Sequence, residues 1–299
     1  MIRTSTLASS TPVAPPARSR RRWRLWRRLL RSPQGLIGGL ITLVFALTAL
    51  LGPRLAPYSP TAMQMSKRLA PPSPTFWLGT DDFGRDILSR ILHGASASFE
   101  VGLFSVGIAL VIGTLLGVLV GLRGGLLDTV VMNLMDVLFA FPAVLLAIAI
   151  MAVLGATLRN VILAIGIVSL PVFVRLARGS TLGVRNLLYI EAAHSIGQRP
   201  WPIAVRHILP NIMAPLIVQA SLTIAAAILT EAALSYLGLG NPPPAPSWGN
   251  MLSTGYQFMQ VSPWPAFFPG FAIMIAVLGF NLLGDGLRDA LDPTLRIED

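Results

Sequence analysis

The chain has 299 residues, 54% of them hydrophobic and only 12% charged, with a mean hydropathy of +0.68. So few polar groups cannot cover a soluble surface, and the composition reads as an integral membrane protein. It has no cysteine, which excludes disulfides and thiolate metal sites, and its net charge of +10 rests on arginine, Lys67 being the one lysine.

Residues 1–17 are rich in Ser, Thr, Pro and Ala and read as disordered. RSRRRWRLWRRLLR follows, giving nine arginines before residue 32, with Trp23 and Trp26 interleaved as at a lipid headgroup surface. No small-residue cleavage site follows closely, so residues 1–31 are expected as a cytoplasmic arginine-rich tail ahead of a retained span; a nucleic-acid arm is the alternative. Between Arg31 and Arg54 lie 22 uncharged residues. They are enough for one helix across a hydrocarbon core of about 30 Å.

A segment from Pro57 to Ser98 is expected on the far side of the membrane, and residues 32–97 are grouped as the first span with that segment. Within it, LGTDDFGRDILSRILHG sets Asp82, Asp86 and Arg90 at four-residue spacing beside an Ile87, Leu88 and Ile91 stripe. That pattern predicts a short amphipathic helix on the outer surface, its charges either paired with one another or anchoring a partner.

Val101 to Leu122 is a second run of 22 uncharged residues, with Gly113, Gly117, Gly121 and Gly125 on one helical face. Such a face lets another backbone approach closely, although glycine is also common in membrane helices by chance. Further spans are expected at Val137 to Leu158, with Pro142 near its start, at Asn160 to Val174, which borrows its flanks with Arg159 snorkelling, and at Ile208 to Thr230. Between Glu231 and Asp285 lie 53 uncharged residues, and the breakers of GLGNPPPAPSWGN and SPWP make their middle a loop, leaving a sixth span near Ala266 to Gly284. Six spans put both termini on one side. Assigning the termini and the loops at 123 and 175–211 to that side gives it 17 basic residues against 6, which places it in the cytoplasm.

The stretch YIEAAHSIGQRPWPIAVRHILPN, residues 189–211, is the longest polar interruption in the second half. It reads as two short helices: Gly197 stops the first, Pro200 suits the first turn of the second, and Pro210 marks its end. Glu191, His194 and Ser195 share a face beside the small Ala192 and Ala193, which suits docking against another protein. Glu231 is a candidate for the wall of an outer vestibule, or else an interfacial carboxylate in contact with water. Asp285 and Asp289 flank Arg288 at helical spacing and are expected to form a lock. No GxxxxGK[ST], HExxH or GxSxG pattern occurs, and His93 falls on the opposite side from His194 and His207. No catalytic residue and no metal site are therefore expected, and the chain is read as no enzyme.

Glu191-Ala192-Ala193, Gly197 and the ending Ile208-Leu209-Pro210 resemble the EAA loop of ABC importer permeases. The form HILPN, with His207 where the broader pattern has Ile, resembles the peptide and nickel branch in its second, or C-type, permease. Gly79, Thr80, Asp81, Gly84, Arg85, Asp86, Ser89 and Arg90 match that branch's GTDxxGRDxxSR signature, and EAALSYLGLG and NLLGDGLRDALDP resemble its later stretches.

The resemblance covers about Gly35 to Pro293 and implies an all-α protein of six transmembrane helices in the type I ABC importer permease fold. It places a five-helix transmembrane domain at 98–289 and a cytoplasmic tail at 290–299. It further implies a loop that enters a groove on a cytosolic ATPase, a second homologous permease, two ATPase subunits that hold ATP and Mg, and an extracytoplasmic solute-binding protein. The surroundings are the lipid of a bacterial inner membrane. No nucleic acid partner is implied, and no cofactor is bound by this chain. The expected cargo is di- or oligopeptide, with nickel as the alternative in the same branch. An ATP-independent secondary transporter or channel is the rival class, against which the uncharged span cores argue; a membrane-embedded hydrolase would need a nucleophile and base that the spans do not offer.

Overall fold

The computed structural model describes residues 32–291, together with Leu29. The arginine-rich tail and nearly all of the 290–299 tail lie outside the described residues.

Helix α1 is Pro33–Leu55, opened by Ser32, whose hydroxyl accepts from the Gly35 amide at 3.0 Å. Helix α2 is Ile87–Arg123, a single run of 37 residues. At 1.5 Å per residue it is about 55 Å long, so it projects well beyond a bilayer core. The expected surface helix and second span are thus one element. Asp86 caps it, its Oδ2 accepting from the Ser89 amide at 2.8 Å, and residues 78–86 form turns ahead of it.

Helices α3 (Gly125–Ala140) and α4 (Ala143–Leu154) meet at a bend of 95°. The third expected span, Val137 to Leu158, therefore does not run straight: Pro142 has no amide hydrogen and biases Phe141 to extended backbone, with φ −91° and ψ 137°. Helix α5, Leu158–Arg185, extends past both ends of its expected span.

After α6 (Leu188–Ser195), the chain enters one continuous helical run, Pro200–Tyr236, made of α7 (Pro200–Ile203), a π turn over Ala204–Ile208 and α8 (Leu209–Tyr236). Pro210 does not end the second short helix. The wider π turn, with the Leu209 amide bonded to Ala204 O, accommodates a proline that an ordinary α-turn would exclude.

The stretch between α8 and the last span is not wholly loop, since α9 occupies Trp248–Gln257. Ser247 caps it, and Trp248 and Met251 sink into the core while the Trp248 indole donates to Ile91 O at 3.0 Å. Helix α10 is Trp264–Leu291; Arg288 forms no ion pair with Asp285 or Asp289, so the expected lock is absent among the described residues.

Five helical runs are long and apolar enough to cross a membrane, and six if the bent pair counts as one span. Two apolar clusters hold them. One joins α2, α4, α5, the 190–216 region and Ala227 and Leu234 of α8; the other joins α1, the N-terminal half of α2, α8, α9 and α10 around Phe45, Trp248 and Phe280. Gly113, Gly117 and Gly121 press α2 against α5, where a Cβ on Gly117 would come within 2.5 Å of Val174 O and 2.7 Å of Ala177 Cβ. Gly125 takes no part: it opens α3 with φ +64° and faces open space.

Overpacking this seam costs about 1–3 kcal/mol or more. Gly117→Leu is expected to abolish a monodisperse size-exclusion peak in detergent, whereas Gly107→Leu, where nothing lies within 4 Å, leaves it intact.

Candidate functional site

The 189–211 loop is held from within and bare outside. Ile190, Ile203, Ala204 and Ile208 are buried. The Asn211 side-chain amide donates to Tyr189 Oη at 3.2 Å and to His207 O at 2.6 Å, tying the start of the loop to its end. Gly197 terminates α6 with φ +78°, and the Gln198 amide closes the turn on Ala193 O at 3.1 Å. Glycine takes that conformation without a Cβ clash.

The outward side presents Glu191 and Ala192, flanked by apolar groups that would ordinarily be hidden: Leu188 and Ile196 are each 83% exposed and Trp201 is 69% exposed. The sequence-predicted residues therefore divide. Glu191, Ala192, Gly197 and Pro210 face outward, Leu209 is half-buried, and Ala193 and Ile208 belong to the anchored side.

The loop hangs from the end of α5, which carries a row of arginines that sequence reading left unpaired. Arg178 forks onto Asp128, Nε to Oδ1 at 2.5 Å and Nη2 to Oδ2 at 2.6 Å. Arg175 meets Asp136 at 2.5 Å and lies over the Phe139 ring at 4.1 Å, and Arg185 Nη1 donates to Gly121 O at 2.7 Å. Asp128 and Asp136 stand eight apart, about two helical turns, which is the one hint the sequence carried.

At the opposite end of α2 the residues of the outer stretch form a closed knot. Asp81 Oδ1 accepts the Phe83 and Arg85 amides, both at 2.9 Å, while Oδ2 takes Arg85 Nε at 2.6 Å and faces Arg90 Nε at 3.4 Å. Thr80 bonds to Lys67 O and receives the Ala70 amide at 2.9 Å; Gly79 and Gly84 supply φ +80° and +70°. Ser89 Oγ donates to Asp86 Oδ2 at 2.6 Å and receives the Tyr58 amide at 3.1 Å, and Arg90 Nη1 reaches Pro60 O at 2.9 Å. All of these polar side chains are buried. Asp81 is the carboxylate both arginines face, whereas Asp86 is held by the Ser89 amide and hydroxyl alone. Asp82, at the rim, has its carboxyl held above the ordinary carboxylate range by burial and by Asp81.

Glu231 lines no vestibule in this chain. It is 1% exposed, accepting from Ser98 Oγ at 3.0 Å across the α2 contact and from Ser235 Oγ at 2.7 Å. The hydroxyls replace the water an interfacial carboxylate would have had.

Removing one partner of a buried charge network costs about 3–5 kcal/mol. Asp81→Asn is expected to lower the thermal unfolding midpoint of the purified protein clearly further than Asp82→Asn, whose nearest arginine nitrogen is 3.6 Å away.

Comparison with known proteins agrees with this architecture. The family described as binding-protein-dependent transport system inner membrane component matches residues 113–297, and the N-terminal TM domain of oligopeptide transport permease C matches residues 21–72. The dipeptide transport system permease protein DppC of Alkalihalophilus pseudofirmus is 47% identical over 92% of this chain and 90% of its own length. The glutathione transport system permease protein GsiD of Pectobacterium atrosepticum is 45% identical over 98% of both. A solved structure of the MetNI methionine ABC transporter, in inward-facing conformations, aligns with a TM-score of 0.53 and 20% identity over 74% of this chain and 99% of that one, a likeness of fold. The chain belongs to the binding-protein-dependent transport system inner membrane components and, with a type I permease fold, is a C-type permease subunit of an ABC importer.

Proposed function

We propose that this permease carries di- or oligopeptides across a bacterial cytoplasmic membrane, both termini and the 189–211 loop lying in the cytoplasm. A second, homologous permease completes the passage. Two cytosolic ATPase subunits hold ATP and Mg and supply the work, and an extracytoplasmic solute-binding protein delivers the cargo. The basic-residue bias supports the orientation, and the transport systems named for the relatives support the cargo.

The observation that carries this reading is the bare apolar rim of Leu188, Ile196 and Trp201 around Glu191 and Ala192, on a helix whose other side is pinned. Exposed apolar groups clustered with a charge mark a protein contact. Closure of the ATPases on ATP presses on α6. From there the Gly197–Arg199 turn leads into the Pro200–Tyr236 run, which holds Glu231 against Ser98 near its far end, so the push reaches the outer end of the bundle.

A single cysteine tests the contact, at Ala192 because Ala193 is 7% exposed and faces the core. Cross-linking Ala192→Cys in membranes with a short thiol-to-amine reagent is expected to capture a subunit with an ATP-binding loop; capture of none, with the thiol reactive, overturns the assembly. Gly197→Leu forces a side chain into left-handed backbone. It is expected to lower uptake of a labelled dipeptide about tenfold, ~1.4 kcal/mol of coupling, while ATP hydrolysis persists. Uptake of nickel but not of peptides by the intact system overturns the cargo.

A further inference from the structure

We infer that the cleft between the end of α2 and the start of the Pro200–Tyr236 run binds an anionic phospholipid, its phosphate between Arg123 and Arg199 and an acyl chain laid along α2. The cleft holds about 390 Å³. Leu115, Val118 and Leu119 form one wall, Trp201, Ala204 and Val205 the other, and no acidic residue lines it.

The two arginines differ from their neighbours. On α5 at the same end, Arg175 and Arg178 are paired with aspartates and Arg185 with a carbonyl. Arg123 and Arg199 form no ion pair among the described residues, yet both stand on the lining of one apolar cleft. Between Leu115 and Arg123 the helix rises about 12 Å, so the wall turns from apolar to cationic over the depth at which a phospholipid turns from acyl chain to headgroup.

Phosphate oxygens match paired guanidinium forks, and anionic headgroups are drawn to juxtamembrane arginines. A free phosphate would leave the apolar wall uncovered. A lipid seated here bridges α2 and the run that continues from the 189–211 loop. The inference requires that the chain span a membrane; it does not require the proposed ATPase contact.

The test places the chain, with whatever subunits co-purify, in nanodiscs containing equal phosphatidylglycerol and phosphatidylcholine, and counts retained lipid by native mass spectrometry. Phosphatidylglycerol is expected to be retained preferentially, and the Arg123→Gln/Arg199→Gln variant to lower its retention about tenfold or more. Arg206→Gln, an exposed arginine outside the cleft, leaves it unchanged. Leu119→Trp, which fills the cleft and keeps both arginines, is expected to exclude the lipid. Equal retention of the two lipids, or undiminished retention in the double variant, overturns the inference. So does a cross-link from Leu119→Cys to a second permease with no lipid retained, which would make the cleft a subunit contact. The lipid count is read on this chain whether or not an ATPase accompanies it, so failure here and failure of the transport reading are distinguishable.

Discussion

The close approach of α2 to α5 through Gly113, Gly117 and Gly121 is the contact on which the rest of the structure depends. Lipid tails are as apolar as leucine, so helices in a bilayer gain little from burying leucine against leucine. They gain from backbones that come near enough for dense packing, and three glycines at successive turns allow it. Arg185 extends the seam by donating to Gly121 O at the C-terminal end of α2, and Arg175 and Arg178 then fix α3 alongside. The 189–211 loop is suspended from this assembly, so its position is set by helices that cannot slide past one another without losing the glycine contacts.

The second structural line is the helical run from Pro200 to Tyr236. It starts in the loop, widens into the π turn that accommodates Pro210, and carries Glu231 to a buried meeting with Ser98 on α2. A carboxylate so enclosed does nothing for a vestibule, but it specifies one register between α8 and α2, since any slip strands a polar group in the interior. At the N-terminal end of α2 the knot around Asp81 does the same for the connection from α1 to α2, fixing where the long helix begins.

The sequence made visible what is periodic or local. The glycine stripe falls at every fourth residue, and Gly197 acts within a single turn, so both could be read directly. In the 78–94 stretch Asp82, Asp86 and Arg90 at four-residue spacing suit a helix, while the structure uses Asp86 as the cap that ends the turns and starts α2. Helix α9 was hidden by the prolines and glycines around it, and the 95° bend by an apolar run that continues unbroken across Pro142. Arg178 with Asp128, Glu231 with Ser98, and the inward orientation of Ala193 depend on tertiary neighbours 50 or 133 residues away, or on which side of α6 meets the core. No local pattern carries that information.

The proposed transport cycle requires the loop and the knot around Asp81 to face opposite compartments, the loop being inside. Two single-cysteine forms of this cysteine-free chain decide it: Trp77→Cys, beside the knot, and Ala192→Cys, on α6, each treated in intact spheroplasts with a membrane-impermeant maleimide. Trp77→Cys is expected to label in intact spheroplasts, and Ala192→Cys only after the membrane is opened. Labelling of Ala192→Cys in intact spheroplasts, with Trp77→Cys protected, would contradict that cycle.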